Sequence, residues 1–473
     1  MPVAPGIETP HPWESHQSDL MAAMEVRRRA KAEGPDVPTV RSRSDSTDRG
    51  AARRSAALDR GCTRLIAVVF VCGACLTSVL LYRPQWVPAL VHERLDRALG
   101  ALGLAEQEYA VVIDAGSTGS RVLAFTFHRG LFDRQLRLDD ELWSQIKPGL
   151  SSYTVNPADA GLSIQSLLEK AQARIPRASW AQTPLTLKAT AGLRLLPPDQ
   201  SAAILAHVET TLRASGFQPE SNLIEIMNPM EEGLFGWFTV NFLAQGFGPG
   251  GVAHSLASLD LGGGSTQITF APTAPVPGLT GRKHYTHRVS VLKQDLDVYS
   301  HSYLGLGLMT ARQAIFQAGD QSALQSPCVR GSQALTWSFQ GREYAIQSHQ
   351  PSFDACLKLV QAVIKSENVH VPDELMRRRV VAFSYFYDKA KENGLIDPEG
   401  TEGTIVLGDY LKAAKRVCDR ESGFHCVDLT FIYVLLSDGY GLSDNKTIQL
   451  YKKIDGHEVS WALGLAYNIL ERV

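Results

Sequence analysis

The chain is predicted to be an α/β protein of two lobes with its working site in the cleft between them, preceded by a disordered tail and one transmembrane helix. Three observations carry this prediction. An apolar run ending in aspartate, a small-residue loop and a second apolar run occur at residues 110–127 and again at 256–270. Between the two, helical patterns over about 158–175 and 199–215 flank a short strand over 184–190. Leu65 to Tyr82 is an uncharged segment of about eighteen residues between Arg64 and Arg83, just long enough to cross a bilayer core.

At 473 residues the chain exceeds a single core, so a two-lobed unit with appendages is the natural organisation. A formal net charge of −2 leaves no electrostatic footprint for nucleic acid. Residues 1–63 are rich in Pro, Ser, Ala and Arg, with no periodic apolar face, and read as a disordered basic cytosolic tail. The charge ahead of the 64–82 signal-anchor orients it with the N-terminus in the cytosol, and residues 83–107 follow as a stem. The short span suits a thinner membrane of the early secretory pathway.

Seven cysteines divide into Cys62, Cys72 and Cys75 in or beside the apolar segment, and Cys328, Cys356, Cys418 and Cys426 in the C-terminal half. That half contains no C-x-x-C pair, which argues against zinc. Four cysteines allow three pairings, of which Cys328–Cys356 with Cys418–Cys426 is the local one. Disulfides here imply an oxidising compartment for everything after Arg83. The sequon Asn445-Lys446-Thr447 fits a lumenal surface loop.

The first hairpin, Ala110 to Val122, offers a carboxylate at Asp114 and a loop of Gly116, Ser117, Thr118 and Gly119. Glycine lets the backbone approach an anion, loop N–H groups can point at phosphate oxygens, and the two hydroxyls add donors. Asp114 can hold a divalent ion directly or through its water shell. No G-x-x-x-x-G-K-[ST] is present, and strand rather than helix follows the glycines. The second hairpin repeats the grammar: Asp260, then Gly262, Gly263, Gly264, Ser265 and Thr266. Aligned on the aspartates, Gly116 falls on Gly262 and Arg121 on Gln267. Two facing loops gripping one polyphosphate is the economical explanation.

Between the hairpins, a turn at Lys147–Leu150 leads to a helix over about 158–175, a strand over 184–190 and a helix over about 199–215 that stops at Gly216. Thr190, at the strand end, can donate to phosphate or water, or simply cap a helix. Asn228 to Trp237 opens another helix with Glu231 and Glu232 in its first turn, ordinarily partners of the helix dipole. The aromatic runs 381–387 and 429–433 are ordinarily core.

Five motifs in order, DAGSTGSR at 114, KATAGLRLLP at 188, EEGLFGW at 231, DLGGGSTQI at 260 and WALG at 461, resemble the apyrase-conserved regions of the ecto-nucleoside triphosphate diphosphohydrolase family. That family belongs to the actin-like ATPase superfamily, so the resemblance implies a ribonuclease H-like fold in each lobe, here 108–229 plus 452–473 as lobe I and 230–451 as lobe II. It implies hydrolysis of a terminal phosphoanhydride, with Glu232 as general base and Gln267 and Thr190 aligning the water. Asp114 and Asp260 would fix a hydrated Ca²⁺ or Mg²⁺, and Trp461 would pack near phosphate and metal. Tyr387 and Phe431 would sandwich the nucleobase, and the turn from Ser302 to Gly307 would brace the cleft. The same disulfide pairing is implied.

Gly119 and Ser120 after the threonine, and the lack of a second apolar stretch near Val473, look like the single-anchor branch of the Golgi, endoplasmic reticulum or secreted forms. That branch prefers UDP and GDP to triphosphates, and clearing the diphosphate left by lumenal glycosyltransferases is the role it implies. Other readings are a phosphotransferase of the same superfamily, or a nucleotide-binding adhesion or chaperone-like module without turnover. Glu232, the oxidising compartment and the motif order favour hydrolysis.

Overall fold

A computed structural model of the chain describes residues 106–472 apart from 131–133, 248–254, 277–282, 293, 319–323 and 421–422. The expected tail and anchor, the stem up to residue 105, and Cys62, Cys72 and Cys75 lie outside the described residues. Among the described residues no helix is long and apolar enough to cross a membrane.

Five strands make the first sheet: β1 (Gln107–Ala115), β2 (Ser120–Arg129), β3 (Leu136–Ile146), β4 (Pro184–Ala189) and β5 (Gln218–Ile226), in the order β3-β2-β1-β4-β5. β1 pairs antiparallel with β2 and parallel with β4. The near-continuous apolar run of β1 is buried on both faces, as a strand covered by helices on two sides must be. The helices Pro157–Arg174 and Pro198–Arg213 cover one face through Ile164, Leu167, Ile204, Val208 and Leu212. Each begins with proline in its first turn, where a missing N–H costs nothing. Gly216, at φ +83°, turns the chain after the second helix.

The second sheet contains β6 (Ala257–Leu261), β7 (Ser265–Phe270), β8 (Thr286–Val291) and β9 (Gln294–Leu304). A small sheet of β10 (Gln325–Ser326), β11 (Leu335–Phe339) and β12 (Arg342–Ser348) intervenes, then β13 (Val380–Ser384), β14 (Glu402–Val406) and β15 (Thr447–Tyr451) complete it. Its order is β14-β15-β13-β6-β7-β9-β8. Five consecutive strands of it, β9-β7-β6-β13-β15, repeat the first sheet: an antiparallel hairpin, a third antiparallel strand, then two parallel strands. The duplicated hairpin is thus one part of a duplicated topology.

One core layer joins the two sheets. The helices Pro229–Leu243 and Trp461–Glu471 pack with Val112, Leu123 and Phe125 of the first sheet and with Val381 and Phe383 of β13. Disulfides join Cys328 to Cys356 and Cys418 to Cys426. Beside the second, Arg312 is bound bidentately by Asp428, with both side chains buried, and its guanidinium lies 4.1 Å from the Phe424 ring centroid. Desolvating such a pair is repaid only by this density of partners.

Candidate active site

Both hairpins deliver their loops to one cleft of about 300 Å³. In the first, Ala115 pairs with Ser120, leaving Gly116–Gly119 as the loop, and Asp114 stands directly opposite Arg121. In the second, Leu261 pairs with Thr266 and Asp260 stands opposite Gln267, the same positions in the same frame. The loops touch: a Cβ on Gly263 would fall 2.9 Å from Thr118 Cγ2 and closer still to Ser117 Oγ. Only glycine permits that approach.

The second loop is clamped from behind by the turn from Ser302 to Gly307 and the helix Leu308–Ala318. Leu308, Met309 and Gly305 donate their backbone N–H groups to the carbonyls of Gly262, Gly263 and Gly264, each at 2.9 Å. In a planar trans peptide the N–H points opposite its C=O. The amides of Gly263, Gly264 and Ser265 are therefore turned away from that helix, toward the cleft these residues line. A cradle of backbone donors for an anion results.

Three carboxylates converge on the cradle. Asp114 ends the apolar run of β1, Asp260 that of β6, and Glu232 lies in the first turn of the Pro229–Leu243 helix, held there by Asn228 capping Met230 N at 2.9 Å. Burial pushes all three carboxyls above their ordinary values. Arg121, 3.2 Å from Asp114, opposes the shift there, and the ion pair with Arg194 opposes it at Glu232. Asp260 is pushed up to about 7 by burial and, against a hydrogen bond from Ser384, by the charges of Glu232 and Asp114. Asp114 Oδ1 and Asp260 Oδ1 are buried without a partner.

Such orphaned oxygens in a site of excess negative charge are what a hard divalent cation satisfies. Among the described residues no group of three or more His, Cys, Asp or Glu side chains forms a metal cluster. Two carboxylates on opposite walls therefore fit an ion that keeps several of its waters, as Mg²⁺ commonly does.

The family model described as the GDA1/CD39 (nucleoside phosphatase) family matches residues 103–473. The chain belongs to this family. Ectonucleoside triphosphate diphosphohydrolase 5 of Mus musculus is 35% identical over 422 residues, 86% of this chain and 97% of the relative. Nucleoside diphosphate phosphatase ENTPD5 of Homo sapiens is 36% identical over 377 residues, 77% and 87% of the two chains. Ectonucleoside triphosphate diphosphohydrolase 6 of Rattus norvegicus is 38% identical over 377 residues, 77% and 82%. The crystal structure of nucleoside triphosphate hydrolases from Neospora caninum shares the fold, with a TM-score of 0.53 at 14% identity over 81% of this chain and 96% of that one.

In this nucleoside phosphatase-family cleft, Gly116, Ser117, Thr118, Gly262, Gly263, Gly264 and Ser265 line the wall with Asp114, Asp260, Glu232, Thr190 and Trp461. Thr190 precedes the short helix Ala191–Arg194, with its N–H on Ala115 O at 3.2 Å, which ties the second motif to the first loop. Gln267 sits behind Ser265, 2% exposed, donating to Ser265 Oγ at 2.9 Å and Ser302 Oγ at 2.8 Å. Its Oε1 is buried without a partner.

Four expected residues stand elsewhere than anticipated. Thr266 is fully buried, and its hydroxyl donates to Asp260 O at 2.7 Å. Strand alternation turns it away from the face that Ser265 and Gln267 share, so it is not a phosphate donor. Gly119 packs under β3, where a Cβ would meet Ile146 O at 2.7 Å, and supports the loop rather than lining the cleft. Phe431 is 1% exposed in the core of the second sheet and cannot stack on a base. Tyr387 touches the cleft wall, but it is also 1% exposed and its hydroxyl is given to Gly400 O, so its ring face is spent on the core.

The structure adds Arg121, Arg194, Ser384, Tyr385 and Asp388 to the site. Ser384 ends β13 at φ +56°, in the left-handed region that serine occupies at a cost. The chain enters the helix Tyr385–Glu392 there, and Tyr385, half-buried where Tyr387 is buried, lines the cleft with its hydroxyl 3.5 Å from Thr118 Oγ1.

Proposed function

We propose that the protein hydrolyses the terminal phosphate of nucleoside diphosphates, and triphosphates more weakly, with a divalent cation. The observation that carries this reading is the meeting of Asp114, Asp260 and Glu232 in one cleft between two apposed glycine loops. The curated relatives' names, diphosphate phosphatase and triphosphate diphosphohydrolase, describe the same chemistry.

Asp114 and Asp260 would hold the hydrated Ca²⁺ or Mg²⁺, whose contribution is to neutralise phosphate charge as the anhydride breaks. The protein's own part is positioning. Ser117, Thr118, Ser265 and the turned-in amides of the second loop grip the phosphates. Glu232 takes a proton from the attacking water, and its pairing with Arg194 opposes the upward push of burial on its carboxyl. Thr190 and the unpartnered Oε1 of Gln267 help to align that water. Displacement by water directly needs no covalent intermediate.

The uncharged segment before the catalytic part, its flanking arginines and the two disulfides support a type II membrane protein of the Golgi or endoplasmic reticulum with this unit lumenal. The boundaries 108–229 plus 452–473 and 230–451 are our assignment of its lobes. Release of inorganic phosphate from UDP and GDP by the full-length protein tests the reading. Activity should vanish with a chelator, return with Ca²⁺ or Mg²⁺, and fall about 10²–10⁴-fold in Glu232→Gln, the range for losing a general base. Nucleotide binding without phosphate release in any metal would instead describe a binding module.

A further inference from the structure

One row of paired residues crosses the first sheet at its cleft end: Ile146, Ser120, Ala115, Ala189 and Ile226. β3, β1, β4 and β5 run in the same direction through it, so the next residues are Lys147, Gly116, Thr190 and Met227, the last leading into the helix that carries Glu232. Neighbouring strands lie about 4.8 Å apart, so three spacings, roughly 14 Å, separate the Lys147 and Thr190 backbones, with the first glycine loop between them. Lys147 lines the cleft, and its stem lies against that loop: a Cβ on Gly119 would fall 3.3 Å from Lys147 Cγ. Gly119 thus makes room for the lysine.

Arg121 is engaged by Asp114 and Arg194 by Glu232, whereas among the described residues no hydrogen bond, ion pair or ring contact engages Lys147. In the second lobe the residue that follows β9 is Gly305, whose N–H braces Gly264 O at 2.9 Å. At this position of the repeated frame only the first lobe places a cation. Resting on the nucleoside diphosphatase reading, we propose that Lys147 is a catalytic residue that binds the phosphate of the departing nucleoside monophosphate. In direct displacement the attacking and leaving oxygens lie in line on opposite sides of the phosphorus. With Thr190 and Glu232 on the water side, the bridging oxygen leaves toward β3. The water oxygen bonds the terminal phosphorus as its proton passes to Glu232, and the bond from phosphorus to the bridging oxygen breaks with both electrons going to that oxygen. The Lys147 ammonium offsets the charge that develops there and keeps its own protons. Inorganic phosphate, the other product, stays between the loops and makes no contact with Lys147.

The test measures kcat and KM for UDP, and product inhibition by UMP and by inorganic phosphate, in the full-length wild type, Lys147→Met and Lys147→Arg. Lys147→Met should lose about 10–100-fold in kcat/KM, the worth of a hydrogen bond to a charged group. Part of the loss should fall on kcat, because the charge on the bridging oxygen develops only as the bond breaks. Inhibition by UMP should weaken about tenfold, while inhibition by phosphate stays the same. Lys147→Arg, which keeps the charge, should restore most of both. Tm should hold in either variant, since the side chain is exposed. Full activity in Lys147→Met, a loss confined to KM, or an equal weakening of inhibition by UMP and phosphate overturns the proposal and leaves the hydrolase reading intact. A wild type that binds UDP but releases no phosphate in any metal refutes both readings together.

Discussion

Gly263→Ala probes the contact on which the cleft is built. The added methyl would lie 2.9 Å from Thr118 Cγ2 and closer still to Ser117 Oγ, where ordinary contact needs about 3.5 Å or more. Ser117 can rotate, so the cost to folding is that of one overpacked methyl, about 1–3 kcal/mol, or a few degrees in Tm for a unit of this size. The cost to catalysis is larger, because relief comes only by moving the Ser117 hydroxyl or parting the loops by about 1 Å. Misplacement on that scale costs roughly 10²-fold. Phosphate release from a nucleoside diphosphate should therefore fall about a hundredfold while Tm falls by only a few degrees. Gly262→Ala is the control, since its Cβ meets only Ser265 O, at 3.2 Å, and it should lose far less. In a Ser117→Ala background the closer of the two clashes is gone and only that with Thr118 Cγ2 remains, so the two substitutions should be non-additive. Near-wild-type kcat/KM in Gly263→Ala, or a loss undiminished in the Ser117→Ala background, would refute the picture of two loops in contact.

Other consequences follow from the charges. Arg194→Met leaves the buried Glu232 carboxyl to burial and to Asp114, both of which raise its pKa; the acid limb of the kcat/KM–pH profile should move to higher pH, and a limb that stays put or moves down contradicts the pairing. Losing one partner of a buried pair should also destabilise the fold by on the order of 3–5 kcal/mol. Glu141 is pushed up from 4.5 to about 7, chiefly by burial, so the folded chain keeps a proton that the unfolded chain loses. Its protonated form favours folding fully below about pH 4.5, and that advantage is lost as pH rises to about 7, worth at most roughly 3 kcal/mol. Glu141→Gln, which can still accept from Glu458 N, should raise Tm at pH 8 and flatten the dependence between pH 5 and 7; a lower Tm at pH 8 would falsify the assignment.

Much of this architecture was legible because the chain states it twice. Asp114 with its glycine loop would pass for an ordinary hairpin, but a second copy at Asp260 implied facing walls, and the repeated strand order extends the same duplication. The misplacements have local causes. Thr266 lies between Ser265 and Gln267, and the period of two that buries it was present in the sequence but was outweighed by its hydroxyl. In the run from Phe383 to Tyr387, aromatic residues follow one another with no turn residue except Ser384. The switch from strand to helix at that left-handed serine, which brings Tyr385 to the cleft, leaves no mark in composition. Arg194 lay inside a recognised motif, yet its pairing with Glu232 joins positions brought together only by the folded sheets. Gly307 is the opposite case: a Cβ there would lie 2.5 Å from Gly263 C, and the turn that ends at it was expected to brace the cleft.

The most direct test is a crystal structure of the protein with a non-hydrolysable nucleoside diphosphate analogue and Mg²⁺ or Ca²⁺. The account predicts one cation within direct or single-water reach of both Asp114 and Asp260, the terminal phosphate between the Gly116–Thr118 and Gly262–Ser265 loops, and a water beside Glu232 in line with the anhydride. A cation bound away from either aspartate, or a phosphate chain held by only one of the two loops, would contradict it.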